Sequence, residues 1–159
     1  MARIDPPALD DLSSEQKALR DLIMKQRSTG EARGPFGVLL HAPDLGSRVA
    51  DFVNYLLSDT RLSHRLKELA IITVARRYTA QYEWWIHARR AERHGLEEEI
   101  IEAIFEGSKP TFADKEGDVV HEVASALASD GQMGDELYQK AEGLFGKAGM
   151  VELVTIIGL

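Results

Sequence analysis

The chain has no cysteine among its 159 residues. Disulfides, thiolate metal sites and any dithiol redox cycle run by its own side chains are therefore excluded. It also lacks an uninterrupted apolar run of about 18 residues, the length a membrane-spanning helix needs, so no membrane partner is expected. Nor is there an excess of positive charge: 19 Lys and Arg stand against 26 Asp and Glu, a formal net charge of −7. With acids spread along the chain, nucleic-acid backbones and anionic lipid surfaces are poor partners. The opening residues, "MARIDPPALDDLSSEQ", show neither an apolar core nor a small-residue cleavage pattern, and a cytoplasmic location is expected. Strand signals are missing too, because nothing alternates with period two for long enough.

What the chain does have is helix punctuation. The length fits one domain over residues 1–159, with 44% hydrophobic residues available for a core. In "SSEQKALRDLIMKQR", Ser13 followed by Gln16 is a capping-box arrangement for a helix running to about Arg27. "STGEARGPFG" breaks that pattern as a loop. "HAPDLGSRVADFVNYLLSD" resumes it with Pro43 in a first turn. Ser63 is a natural N-cap for "HRLKELAIITVARRYT", a short joint falls near Thr79, and "AQYEWWIHARRAERHG" stops at Gly95. A short helix closes at Gly107, and three further segments span about 114–129, 134–145 and 147–158. The fold class is all-α, a compact multi-helix bundle. The apolar tail "MVELVTIIGL" either docks into the core or a neighbouring subunit, or is cut short.

The chemistry-bearing residues gather around "YEWWIHARRAERHG". At about 100° per residue, Glu83 and His87 lie on one side of their helix and can touch. Alone, such a pair is ordinary surface decoration. Glu68, however, shares a stripe with Ile71, Ile72 and Ala75 on the preceding helix, and a carboxylate there is costly unless paired or protonated. The short joint would fold one helix back on the other and bring Glu68 toward His87. The blander reading pairs Glu68 with Arg65 or Lys67. Trp84 and Trp85 project about 100° apart, so one is expected in the core and the other in a pocket or subunit contact. His64 and His94 read as helix-end residues, and His121 as a satisfied interior or flank residue.

"SHRLKELAIITVARRYTAQYEWWIHARRAERHGLEEEIIEAI", with the upstream "GPFGVLLHAPDLGSRVADF", resembles the carboxymuconolactone decarboxylase family, whose fold is shared with the alkylhydroperoxidase D-like proteins. The likeness is clearest over residues 34–107. The thiol branch of that family carries a Glu, a Cys-x-x-Cys pair and a following His. Here the Glu matches Glu68 and the His matches His87, while the cysteine positions hold Ala80 and Glu83. Dithiol peroxidase chemistry is thus ruled out for this chain, and the pattern looks like the decarboxylase-type branch, where Tyr-Glu-Trp is usual at this place.

The resemblance implies an all-helical protomer assembling into a homotrimer or homohexamer, with Glu68, Glu83 and His87 facing one another across a pocket. It implies a cofactor-independent lyase acting on a small carboxylated lactone, whose own conjugation accepts the electrons left by carbon dioxide. His87 or Glu68 would deliver the proton. Trp84, Trp85, Arg77 and His41 are taken as substrate-binding, with Arg76, Arg89, Arg90 and Arg33 as further anchors for carboxylates. For His41, a hydrogen bond at a helix start is the blander reading. Neither a cofactor nor a metal is expected, since Glu83 and His87 supply only two ligands. The alternatives are a non-catalytic oligomeric small-molecule binding protein that kept the fold, and a proton-transfer isomerase on another carbonyl substrate.

Overall fold

Ser13 closes a reciprocal cap: its backbone N–H donates to Gln16 Oε1 at 2.9 Å, and Gln16 N–H donates back to Ser13 Oγ at 3.3 Å. That capping box starts α1, Ser14–Gln26. The structure is a computed structural model that describes residues 3–26 and 32–159. The sequence-expected end of the first helix at Arg27 and the first part of the loop after it lie outside the described residues.

The chain divides into two compact units, residues 1–59 and 60–159. In the first, a 3-10 turn at Leu9–Asp11 precedes α1, the short α2 covers Pro35–Leu39, and α3 covers Pro43–Ser58. Both later helices start with proline in the first turn, where the missing N–H costs nothing. Leu12, Leu19, Ile23, Phe36, Leu40, Ala50 and Val53 form the core of this unit.

The second unit is organised around α4, His64–Arg77, which packs against α5 (Gln81–Arg93), α6 (Glu98–Glu106), α7 (Lys115–Asp130) and α8 (Asp135–Gly158). Residues Leu66, Lys67, Glu68, Leu69 and Ala70 of α4 are all buried in succession, so this helix has no open face along that turn. Ile100 and Ile104 from α6, Val120 and Val123 from α7, and Leu153 and Ile156 from α8 complete the apolar surroundings. No strand occurs among the described residues.

The punctuation is used largely where the sequence has it. Ser63 Oγ accepts from Leu66 N–H at 3.3 Å. The joint after α4 is a Schellman turn: Ala80 N–H donates to Ala75 O at 2.8 Å and Thr79 N–H to Arg76 O at 3.2 Å. Thr79 takes the left-handed position with φ 55°, which glycine would occupy at less cost. Gly95 holds the matching place after α5, with φ 84°. The segments expected at 134–145 and 147–158 are joined as α8 across a kink at Gly146, φ 65° and ψ 172°. Its apolar tail buries Met150, Leu153 and Ile156 along one stripe, while Val151 and Val154 face outward. No helix of the described residues is long and apolar enough to cross a membrane.

The start of α7 carries a testable cap. Asp114 Oδ1 accepts from Gly117 N–H at 2.7 Å and Oδ2 from Arg65 at 2.8 Å. Asp114→Ala should lower stability by about 1–2 kcal/mol in urea unfolding. Asp114→Asn, which keeps a capping oxygen, should lose less. Equal losses would show that the charge opposite Arg65, and not the cap, is what matters.

Candidate functional site

The central position of α4 buries Glu68, which is only 1% exposed. A carboxylate there needs partners, and α5 supplies two of them. His87 Nδ1 lies 2.6 Å from Glu68 Oε2, and Arg90 Nε lies 3.0 Å from Oε1. His87 and Arg90 are three residues apart on one face of α5, so a single helix surface presents two nitrogen donors, one of them a fixed cation, to one anion. The short Schellman joint at Thr79 turns α5 back along α4 and makes this meeting possible. Next to it, Ala91 is fully buried, a small residue at the helix contact.

The hydrogen-bond pattern assigns the two nitrogens of His87 different tasks. A carboxylate only accepts, so Nδ1–H donates to Glu68 whether the ring is neutral or charged. The exchangeable proton is therefore the one on Nε2, which lies 3.4 Å from Glu83 Oε2. Glu83 is substantially exposed whereas Glu68 is not, so the cluster has a dry end and a wet end. Burial pushes the His87 pKa down, but hydrogen bonds to Glu68 and Glu83 and the Glu68 charge outweigh it, and the net shift is upward despite opposition from Arg90.

The remaining expected residues are placed as follows. The blander pairing of Glu68 with Arg65 is replaced: Arg65 instead reaches Asp114 at 2.8 Å and Glu97 at 3.3 Å. The expectation that one tryptophan enters the core is corrected. Neither is buried, and both line one open cavity, because that cavity is wide enough to take two directions from α5. Trp84 lies against Phe105 at 5.5 Å between ring centroids, and the Arg89 guanidinium sits 4.5 Å over the Trp85 ring. Arg76 and Arg89 line this cavity, whereas Glu68, Glu83 and His87 do not. Arg77 does not line it either; its Nε donates to Ser129 Oγ at 3.2 Å.

His41 belongs to the first unit, where its Nε2 is 2.8 Å from the Asp5 carbonyl oxygen. His64 and His94 stack at 4.7 Å, consistent with helix-end roles. His121 is not the satisfied residue that was expected: its buried Nδ1 has no hydrogen-bond partner among the described residues. Burial lowers its pKa, more than Asp118 and Glu122 raise it. Among the described residues, no three His, Asp or Glu side chains converge as metal ligands. The member that sequence reasoning missed is Arg90, considered only as an anchor for substrate. Its i,i+3 spacing from His87 was the available signal.

The sequence profile of the carboxymuconolactone decarboxylase family matches residues 43–125, just over half of the chain. The chain belongs to the carboxymuconolactone decarboxylase family. The matched segment contains Glu68, Glu83, His87 and Arg90 and extends into α7, further than the resemblance read from 34–107. No curated protein and no solved structure gives a match.

The electrostatics of the cluster make opposite predictions for the two charges acting on His87, Glu68 on α4 and Arg90 on α5. In an NMR titration of the His87 ring, Glu68→Gln should lower the midpoint, because burial then acts with less opposition. Arg90→Gln should raise it, because a repelling cation is removed while the anion stays. Movement of both midpoints in the same direction would contradict the arrangement.

Proposed function

We propose that Glu68, Glu83 and His87 form the acid–base machinery of a cofactor-independent lyase acting on a small carboxylated lactone. Family membership supports the coarser statement of a carboxymuconolactone decarboxylase-like or alkylhydroperoxidase-like function. With no cysteine in the chain, the second option cannot run through a dithiol of its own. The observation that carries the acid–base reading is the buried Nδ1–Glu68 bond of 2.6 Å, which leaves Nε2 as the proton-exchanging atom beside half-exposed Glu83.

In this reading the substrate carboxylate leaves as carbon dioxide, and the electron pair of the broken C–C bond passes into the conjugated lactone as an enolate. Protonated His87 stabilises that developing charge and delivers the Nε2 proton to carbon. Glu68 holds the ring in one orientation, a role suited to a carboxylate with both oxygens engaged as acceptors. Glu83, nearer to solvent, takes up a proton from water and relays it to Nε2 for the next turnover. The upward shift of His87 keeps a larger share of the ring charged near neutral pH. Activity should therefore fall as pH rises through that raised midpoint.

The reading includes a cytoplasmic location and self-assembly into trimers or hexamers, both carried over from the expectations above. The absence of His87 from the lining of the tryptophan cavity favours a second reading, a small-molecule binding protein without turnover. Carbon dioxide release from γ-carboxymuconolactone separates the two. His87→Gln should cut release by roughly 100-fold or more, with the circular dichroism spectrum and the assembly state unchanged. Turnover within a few-fold of wild type would sink the acid–base assignment.

A further inference from the structure

The cavity beside the tryptophans occupies about 780 Å³ within the second unit, between the end of α4, the start of α5 and the end of α6. Trp84, Trp85 and Phe105 give it aromatic walls, and Arg76 and Arg89 add two guanidinium groups. Each guanidinium is held in place by a backbone carbonyl: Arg76 Nε donates to Phe105 O at 2.6 Å, and Arg89 Nη1 to Trp85 O at 2.7 Å. Those bonds use one donor on each group, and a guanidinium has five. Neither is paired with a carboxylate among the described residues, although the chain as a whole carries a net charge of −7. Thr79, a β-branched residue held at φ 55°, lines the same cavity. Strain of that kind collects at working sites.

We propose that this cavity is a binding site for a small planar aromatic carboxylate, separate from the acid–base cluster. Aromatic walls favour a flat ring that can stack or meet them edge to face. Fixed guanidinium forks match a carboxylate in two parallel hydrogen bonds, which a spherical or strongly hydrated anion cannot exploit equally. Glu106 also lines the cavity, leaving its ionised wall at one net positive charge, which suits a monocarboxylate better than a dianion or a polyphosphate. The ligand class follows from this combination. Trp84, Trp85, Arg76 and Arg89 are also residues the lyase reading expects to contact substrate, but none of Glu68, Glu83 or His87 lines the cavity, and the ligand class is argued from the lining alone.

The chain contains only two tryptophans, and both line the cavity, so tryptophan emission, excited selectively over tyrosine, reports on this place alone. Titration of the full-length protein with benzoate should give a saturable change. Benzamide, of the same shape without the charge, and acetate, of the same charge without the ring, should each bind roughly ten-fold more weakly or worse. Arg89→Gln and Arg76→Gln should each weaken benzoate by a similar factor. Arg89→Lys, which keeps the charge but not the fork, should lose less and guards against a folding defect. Arg93→Gln removes the same charge from an exposed position of α5 and should leave binding within two-fold, as should His87→Gln. Four results would overturn the proposal: no saturable change up to about 10 mM benzoate; acetate equal to benzoate; Arg93→Gln as damaging as Arg89→Gln; or loss of binding on His87→Gln. A fluorescence change that follows protein concentration and ignores benzoate would also overturn it, by assigning the cavity to a second copy of the chain.

Discussion

The buried carboxylate of Glu68 is the constraint around which the second unit is arranged. Helix α4 is buried all round along the turn from Leu66 to Ala70, so the Glu68 carboxylate in it is shut off from water. Unpaired, it would cost several kcal/mol. The His87 ring and the Arg90 guanidinium from α5 offset that cost only if α5 lies against α4 in one register and one rotation. The tight Schellman turn at Thr79, the small Ala91 at the contact and the spacing of His87 and Arg90 all serve that placement. Removing any one partner leaves a buried charge short of its hydrogen bonds, which is why this ion cluster specifies geometry as much as it stabilises.

The same arrangement separates two kinds of surface on one helix. The flank of α5 bearing Glu83, His87 and Arg90 is polar and tied to the centre of the unit. The neighbouring flank bears Trp84, Trp85 and Arg89 and opens into an aromatic cavity. His87 is 8% exposed and reaches outward through Nε2 toward Glu83. A proton can thus be exchanged at the wet end of the cluster while the dry end keeps the ring oriented. In the proposed lyase reading, that division of labour supplies the oriented proton donor that general acid–base catalysis needs.

Much of this was legible in the sequence because the relevant signals are local. The capping box at Ser13, the N-cap at Ser63 and the glycines at 95 and 107 mark helix ends through short-range hydrogen bonds, and the structure uses them as such. The approach of Glu68 to His87 could be foreseen because only a very short joint separates their helices. Arg90 is read from the sequence only as an anchor, since its i,i+3 spacing places it on the His87 face but does not by itself tell an arginine that faces a buried acid from one that faces water. The tryptophans were misread for the opposite reason. Their 100° separation is real, but the width of the space beside α5 depends on where α6 packs, a tertiary fact. The unpartnered nitrogen of His121 likewise depends on surroundings that no helical period reveals.

The most direct test is a double-mutant cycle on Glu68 and His87, read as unfolding free energy at several pH values. The His87 midpoint is raised in the folded protein relative to the ordinary histidine value, so its charged bond to Glu68 contributes fully below about pH 6.5. That contribution should decline as pH rises through the raised midpoint. With Glu68→Gln, His87→Gln and the double variant, a favourable coupling of about 1.5–3 kcal/mol is expected at low pH, shrinking as the ring loses its proton. A coupling near zero, or one that does not change with pH, would contradict the central role given to the Glu68 carboxylate.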